Sequence, residues 1–309
     1  MARWRRGKIL MRAYLLGTLL TIVALLLPTA GGEAAPVKEL GSTVIIEAAT
    51  GKTIPLKKLA QHLADQNGVV FFGEFHDQPA LHTAEDALFN SLIELRDGKI
   101  TLSMEMFERD VQPILDDYLA GRCTEDEFLL KSRPWPRYQT DYRPMVERAR
   151  KVGIPVLAAN VPRSMAAHYA KTGSLEGLDK RWMARHTYAP EGAYRDNFFK
   201  TMSEVHVEGM QVDTSRWQAM YQAQCLKDDT MAESIADRLA SHPGELIYQV
   251  QGDFHGSYHL GVVEKLHALC PEVPITVLAP VLRDGIQNDA ALAAANKDRG
   301  DYLVIADKY

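Results

Sequence analysis

Seven stretches of the chain are almost wholly apolar and rich in β-branched or aromatic residues. They are Thr43–Glu47, Val69–Gly73, Ile100–Met106, Ile154–Asn160, Leu246–Gly252, Ile275–Ala279 and Tyr302–Ala306. Several run on without polar alternation, which predicts strands covered on both faces. Between them, apolar positions recur at helical spacing over Leu56–Asn67, Ala80–Leu95, Tyr142–Val152 and Gly256–Leu269. Gly153 stands where a helix stop belongs, and Thr124 followed by Glu127 predicts a capping box opening a helix through Lys131. Strand–helix alternation implies right-handed crossovers, so the fold class expected is α/β: a mainly parallel sheet flanked by helices. From about 163 to 241 the alternation stops. Helical patterns without a convincing strand predict a helical insertion or subdomain there, beside the sheet.

The N-terminus follows another pattern. Arg3, Arg5, Arg6, Lys8 and Arg12 precede an apolar run from Ala13 to Pro28, and small residues follow it. A basic region, an apolar region and a small-residue exit describe a secretory signal peptide, here residues 1–34, cleaved after Gly32 or Ala34. The run also approaches the ~20 residues that span a bilayer, so an uncleaved anchor is the rival reading. Residues 35–309 then form a single exported domain, expected in the periplasm.

Composition narrows the function classes. Of 309 residues, 46% are hydrophobic and 24% charged, which excludes disordered and low-complexity scaffolds. The net charge of −5 becomes −9 once the leader takes away five basic residues and Glu33. An acidic chain has no general means of neutralising phosphates, so nucleic acid is not an expected partner. Three scattered cysteines (Cys123, Cys225 and Cys270) make neither a disulfide framework nor a structural zinc site.

In an open α/β sheet, ligands bind beyond the carboxyl ends of the strands. Two of the predicted strands end alike, in Gly73-Glu74-Phe75-His76 and Gly252-Asp253-Phe254-His255. A third ends at Glu105, and a fourth at Asn160-Val161-Pro162-Arg163. Parallel strands would gather Glu74, His76, Glu105, Asn160, Arg163, Asp253 and His255 on one rim, with the two histidines facing a shared pocket. Imidazoles opposite carboxylates suit general acid–base catalysis, or metal binding by His76, Glu105 and His255. Zn²⁺ and Mn²⁺ both accept such mixed ligands.

At these residues the sequence resembles the ChaN family of haem-binding uptake proteins, within the Tiki and erythromycin-esterase-like superfamily. The resemblance runs from Gly73-Glu74-Phe75-His76-Asp77 and His82 through Met104-Glu105-Met106-Phe107 and Trp135 to Tyr142. It continues through Ala158 to Arg163 and Ala223-Gln224 with Asp228 and Asp229, and closes at Gly252-Asp253-Phe254-His255. It implies an α/β fold, export, haem as ligand, a haem receptor or transporter as partner, and haem held between two subunits of a homodimer. The chain departs from a lipoprotein pattern in having no cysteine near the leader junction.

Haem needs an apolar slot, an axial ligand and basic groups for its propionates. The stretch from Trp182 to Tyr221 offers His186, Tyr188, Tyr194, His206 and Tyr221 as candidates; the same aromatics could instead be the packed core of a helical subdomain. No Cys-x-x-Cys-His motif occurs, so haem would be held non-covalently. The alternative is a periplasmic hydrolase in which His76 or His255 activates water, directly or on a metal, with Glu74 or Glu105 as partner. There is no Gly-x-Ser-x-Gly elbow for serine chemistry.

Overall fold

The computed structural model describes residues 40–204, 216–285 and 288–309; the expected leader and His206 lie outside them. The strands are β1 (Val44–Glu47), β2 (Lys52–Thr53), β3 (Val69–Glu74), β4 (Ile100–Glu108), β5 (Val156–Asn160), β6 (Leu246–Gly252), β7 (Ile275–Arg283) and β8 (Tyr302–Asp307). They form one sheet in the order β2-β1-β8-β7-β3-β6-β4-β5. β1 is antiparallel to both its neighbours, and every other pairing is parallel. The sheet is thus mainly parallel, as the alternation predicts, with an antiparallel edge.

The continuous apolar runs are explained by helices on both faces. Val70 and Phe72 of β3 and Leu246, Tyr248 and Val250 of β6 point to one side. There they meet α1 (Leu56–Ala64), α2 (Pro79–Arg96) and α5 (Arg143–Val152), and the same core takes in α3 (Gln112–Leu119) and α4 (Glu125–Ser132). Val69, Phe71 and Ile247 point the other way, against Met231, Ala232 and Ile235 of α8 (Trp217–Ser241) and Val262 and Leu266 of α9 (Val262–Leu269). α6 (Arg163–Thr172) packs on α8 outside the sheet, and α7 (Ala193–Glu204) joins it through an aromatic cluster. α10 (Asp289–Asn296) covers β7 and β8. Thr124 and Glu127 close the expected capping box, with the Thr124 hydroxyl accepting from Glu127 N at 3.2 Å.

Three differences from the sequence pattern bear on the site. β4 runs on to Glu108, so Glu105 lies inside a strand, where the pairing with β5 shifts register between Met104 and Glu108. The helix expected from Gly256 begins at Val262. Residues 253–259 form two tight turns instead, with Tyr258 and His259 both in the left-handed region at φ 64° and 56°. Gly261 ends them at φ +60°, where a Cβ would come within 2.6 Å of the His255 carbonyl. Finally, the described residues of 163–241 carry no strand, as expected, but their longest helix is not set apart from the sheet. Long α8 lies on the sheet itself, so that stretch contributes directly to the edge where the strands end.

Candidate functional site

β3, β4 and β6 are neighbours, and their carboxyl ends bring two carboxylate–imidazole pairs to one edge. In the first, Glu74 closes β3 and is fully enclosed. Its Oε1 holds Nδ1 of His76 and accepts a hydrogen bond from the Tyr142 hydroxyl at 3.1 Å. His76 itself is half exposed, its side chain 48% accessible, with the Trp135 ring edge-on at 4.9 Å. With Nδ1 committed to Glu74, Nε2 is the nitrogen left for a ligand. Burial works against a charge on this imidazole, but Glu74 outweighs it and the pKa is raised.

The second pair lies deeper. His255 Nε2 stands 3.1 Å from Glu105 Oε1, and its Nδ1 is 2.5 Å from Asp228 Oδ1. Burial lowers the imidazole's pKa, yet the two carboxylates raise it further, to about 9. The imidazolium in turn draws the Glu105 pKa down, against the burial that would raise it. Glu105 Oε2 accepts from Gly252 N at 2.8 Å, and Tyr194 donates to Asp228 Oδ2 at 2.6 Å. Both ring nitrogens of His255 face carboxylates, an arrangement that favours the protonated imidazole.

A cavity of about 670 Å³ lies over this edge and is lined by both histidines, so they share one pocket. That volume falls within the ~300–1,000 Å³ of small-molecule and cofactor sites. Phe75, Trp135 and Phe254 give it apolar walls, and Lys227 of α8 supplies a cation. Gly252 forms part of its floor: a Cβ there would come 3.0 Å from His76 Cε1 and 3.1 Å from Nε2. What the motif glycine leaves room for is the close approach of the imidazole; its dihedral angles are open to other residues.

The remaining candidates are dispersed. Arg163 pairs with Glu108 at 2.9 Å and does not line the cavity. His186 and Tyr188 are exposed, Tyr188 at 68%. Tyr194 and Tyr221 are buried, with the partly buried Phe198, Phe199 and Phe254 packed against them, so this part of the expected slot is filled by an aromatic cluster. Their hydroxyls are already bonded, Tyr221 to the Pro190 carbonyl at 2.6 Å. Among the described residues, donors close enough for one metal come from Glu74, His82 and Glu85 rather than from His76, Glu105 and His255.

The sequence reading does not single out Asp228, Lys227 or Trp135 as site residues. Asp228 and Trp135 do fall within the segments that carry the family resemblance, which was the available signal. Lys227 reaches the cavity, and Asp228 reaches His255 at its edge, because α8 runs along the sheet, a placement that no local pattern reveals.

A sequence profile described as haem-binding uptake, Tiki superfamily, ChaN matches residues 59–266. No curated protein sequence matches the chain. Among solved structures, one reported as cofacial haem binding to ChaN of Campylobacter jejuni aligns with a TM-score of 0.65 at 19% identity, covering 85% of this chain and 96% of that one. That likeness shows a shared fold. The type III effector HopBA1 aligns with a TM-score of 0.45 at 13% identity, over 82% of this chain and 94% of its own. A mutant erythromycin esterase, EreC in its open conformation, gives 0.44 at 11% identity, over 77% and 76%. Both are too distant to bear on function.

Proposed function

Because the chain belongs to the ChaN family of haem-binding uptake proteins in the Tiki superfamily, we propose that it binds haem non-covalently at the carboxyl edge of its sheet and serves haem or iron uptake outside the cytoplasm. The observation that carries this placement is His76. Its Nδ1 is held by a buried carboxylate while the ring is half exposed in an apolar-walled cavity. A carboxylate on the far nitrogen is the usual outer partner of a metal-ligating imidazole, since it fixes the ring and raises its basicity. Phe75, Trp135 and Phe254 would cover porphyrin faces, and Lys227 would meet a propionate. Haem supplies an iron centre for coordination; the chain supplies a ligand, walls and a counter-charge. A receptor or transporter that takes up the haem, and a homodimer around it, belong to the same proposal.

Titrating the mature chain with haem tests the placement. Wild type is expected to give a saturable Soret band, and His76→Ala to abolish or shift it. His186→Ala and Tyr188→Phe are expected to leave it unchanged. No saturable band, or one indifferent to His76, overturns the proposal.

Hydrolysis is the second reading, and the Glu74–His76 pair favours it too, because an imidazole oriented by a carboxylate can act as a general base. His255 is enclosed between Glu105 and Asp228, so the half-exposed His76 is the better placed of the two for that work. Ester or peptide cleavage lost in His76→Ala, without haem binding in wild type, would decide for the hydrolase.

A further inference from the structure

We propose that Glu74, His82 and Glu85 form a buried site for a divalent transition-metal cation, behind the rim cavity and separate from haem. His82 and Glu85 lie one turn apart on α2, so both side chains leave the same face of the helix. Glu74 comes from the end of β3. One ligand atom from each lies within 4.8 Å of the other two, and all three residues are enclosed. An imidazole nitrogen with two carboxylate oxygens suits a first-row divalent ion such as zinc.

The hydrogen bonding singles out two carboxylate oxygens. Glu74 Oε2 and Glu85 Oε1 are both shut off from solvent, and neither has a hydrogen-bond donor among the described residues. His82 Nε2 lies 3.2 Å from Glu74 Oε2 but is not aligned to bond it; it reaches the His76 carbonyl at 3.3 Å. The other nitrogen, Nδ1, meets Glu85 Oε2 at 2.9 Å. Asp141 adds a third carboxylate 3.6 Å from His82, itself paired to Arg137 at 2.5 Å. Buried acceptors are nearly always satisfied, and an orphan calls for an ordered water or an ion. A lone imidazolium among these groups leaves both orphan oxygens unmet. A dication held by one oxygen of each carboxylate would take the place of the imidazole's proton.

Such an ion would also act on the rim. Glu74 offers one oxygen to it and the other to His76, so the ion would fix the carboxylate that orients His76.

The site is tested on the mature full-length chain, without haem. After stripping with a chelator and refilling with Zn²⁺, elemental analysis is expected to find about one zinc per chain. X-ray absorption at the zinc edge should then show one imidazole with oxygen ligands. Glu85→Gln is expected to weaken zinc binding by at least ~100-fold, the upper end of what outer-shell changes cost. Glu105→Gln should leave it unchanged. Failure to retain stoichiometric zinc in wild type, or an absorption spectrum showing two imidazoles, overturns the proposal; the second needs no variant to fold. Haem titration reads out separately, so a normal Soret band without zinc rejects only the metal site. Zinc binding without a Soret band rejects only the haem reading.

Discussion

His255 shows why a side chain's partners matter more than its motif. Gly252-Asp253-Phe254-His255 repeats Gly73-Glu74-Phe75-His76, yet one imidazole is enclosed between Glu105 and Asp228 and the other stands half in the cavity. Removing the enclosed one with His255→Ala leaves two buried carboxylates unpaired, and urea unfolding is expected to show a loss of about 3–5 kcal/mol. Its charge also sets a pH window. The folded pKa is raised to about 9 from an ordinary value of 6.5, so its stabilisation is complete below pH ~6.5 and fades as pH rises through about 9. Melting temperature is therefore expected to fall between pH ~6.5 and ~9.5 in wild type and less steeply in His255→Gln. An unchanged slope would mean that His255 is not charged when folded.

At the scale of elements, sequence pattern and structure agree where burial alone decides. All seven apolar stretches are strands, because a strand covered on both faces cannot alternate. Agreement ends at residues 253–261, where helical periodicity is overridden by the close packing of Gly261 against the His255 carbonyl. It ends again at Tyr194 and Tyr221, whose spacing is the same for a haem slot and for a packed aromatic core. Only the placement of α8 separates those readings. Gly252 allows a test at this scale. Gly252→Ala puts a Cβ 3.0 Å from the His76 ring with no change in backbone angles, so the fold is expected to persist while haem affinity drops at least ~10-fold. Unaltered affinity would show that the position of His76 does not matter to binding.

For the whole molecule, the rim depends on strand order. β3, β6 and β4 are adjacent although far apart in sequence, which makes one edge of three separate motifs. Parallel strands could be read from the sequence; their order could not, because crossovers leave no local mark. Export is a proposal at the same scale, resting on the basic and apolar pattern of residues 1–34. N-terminal sequencing of protein from the periplasm should begin near Glu33 or Ala35. Recovery only as full-length chain in the inner membrane would replace the signal peptide with an anchor.

The central claim is that haem sits over this rim with His76 as its ligand, and a crystal structure of the haem complex tests it most directly. The expected result is iron bonded to His76 Nε2, with the porphyrin between Phe75, Trp135 and Phe254 and a propionate at Lys227. Iron bound instead by His186, Tyr188 or His206, with the rim cavity free of porphyrin, would contradict it.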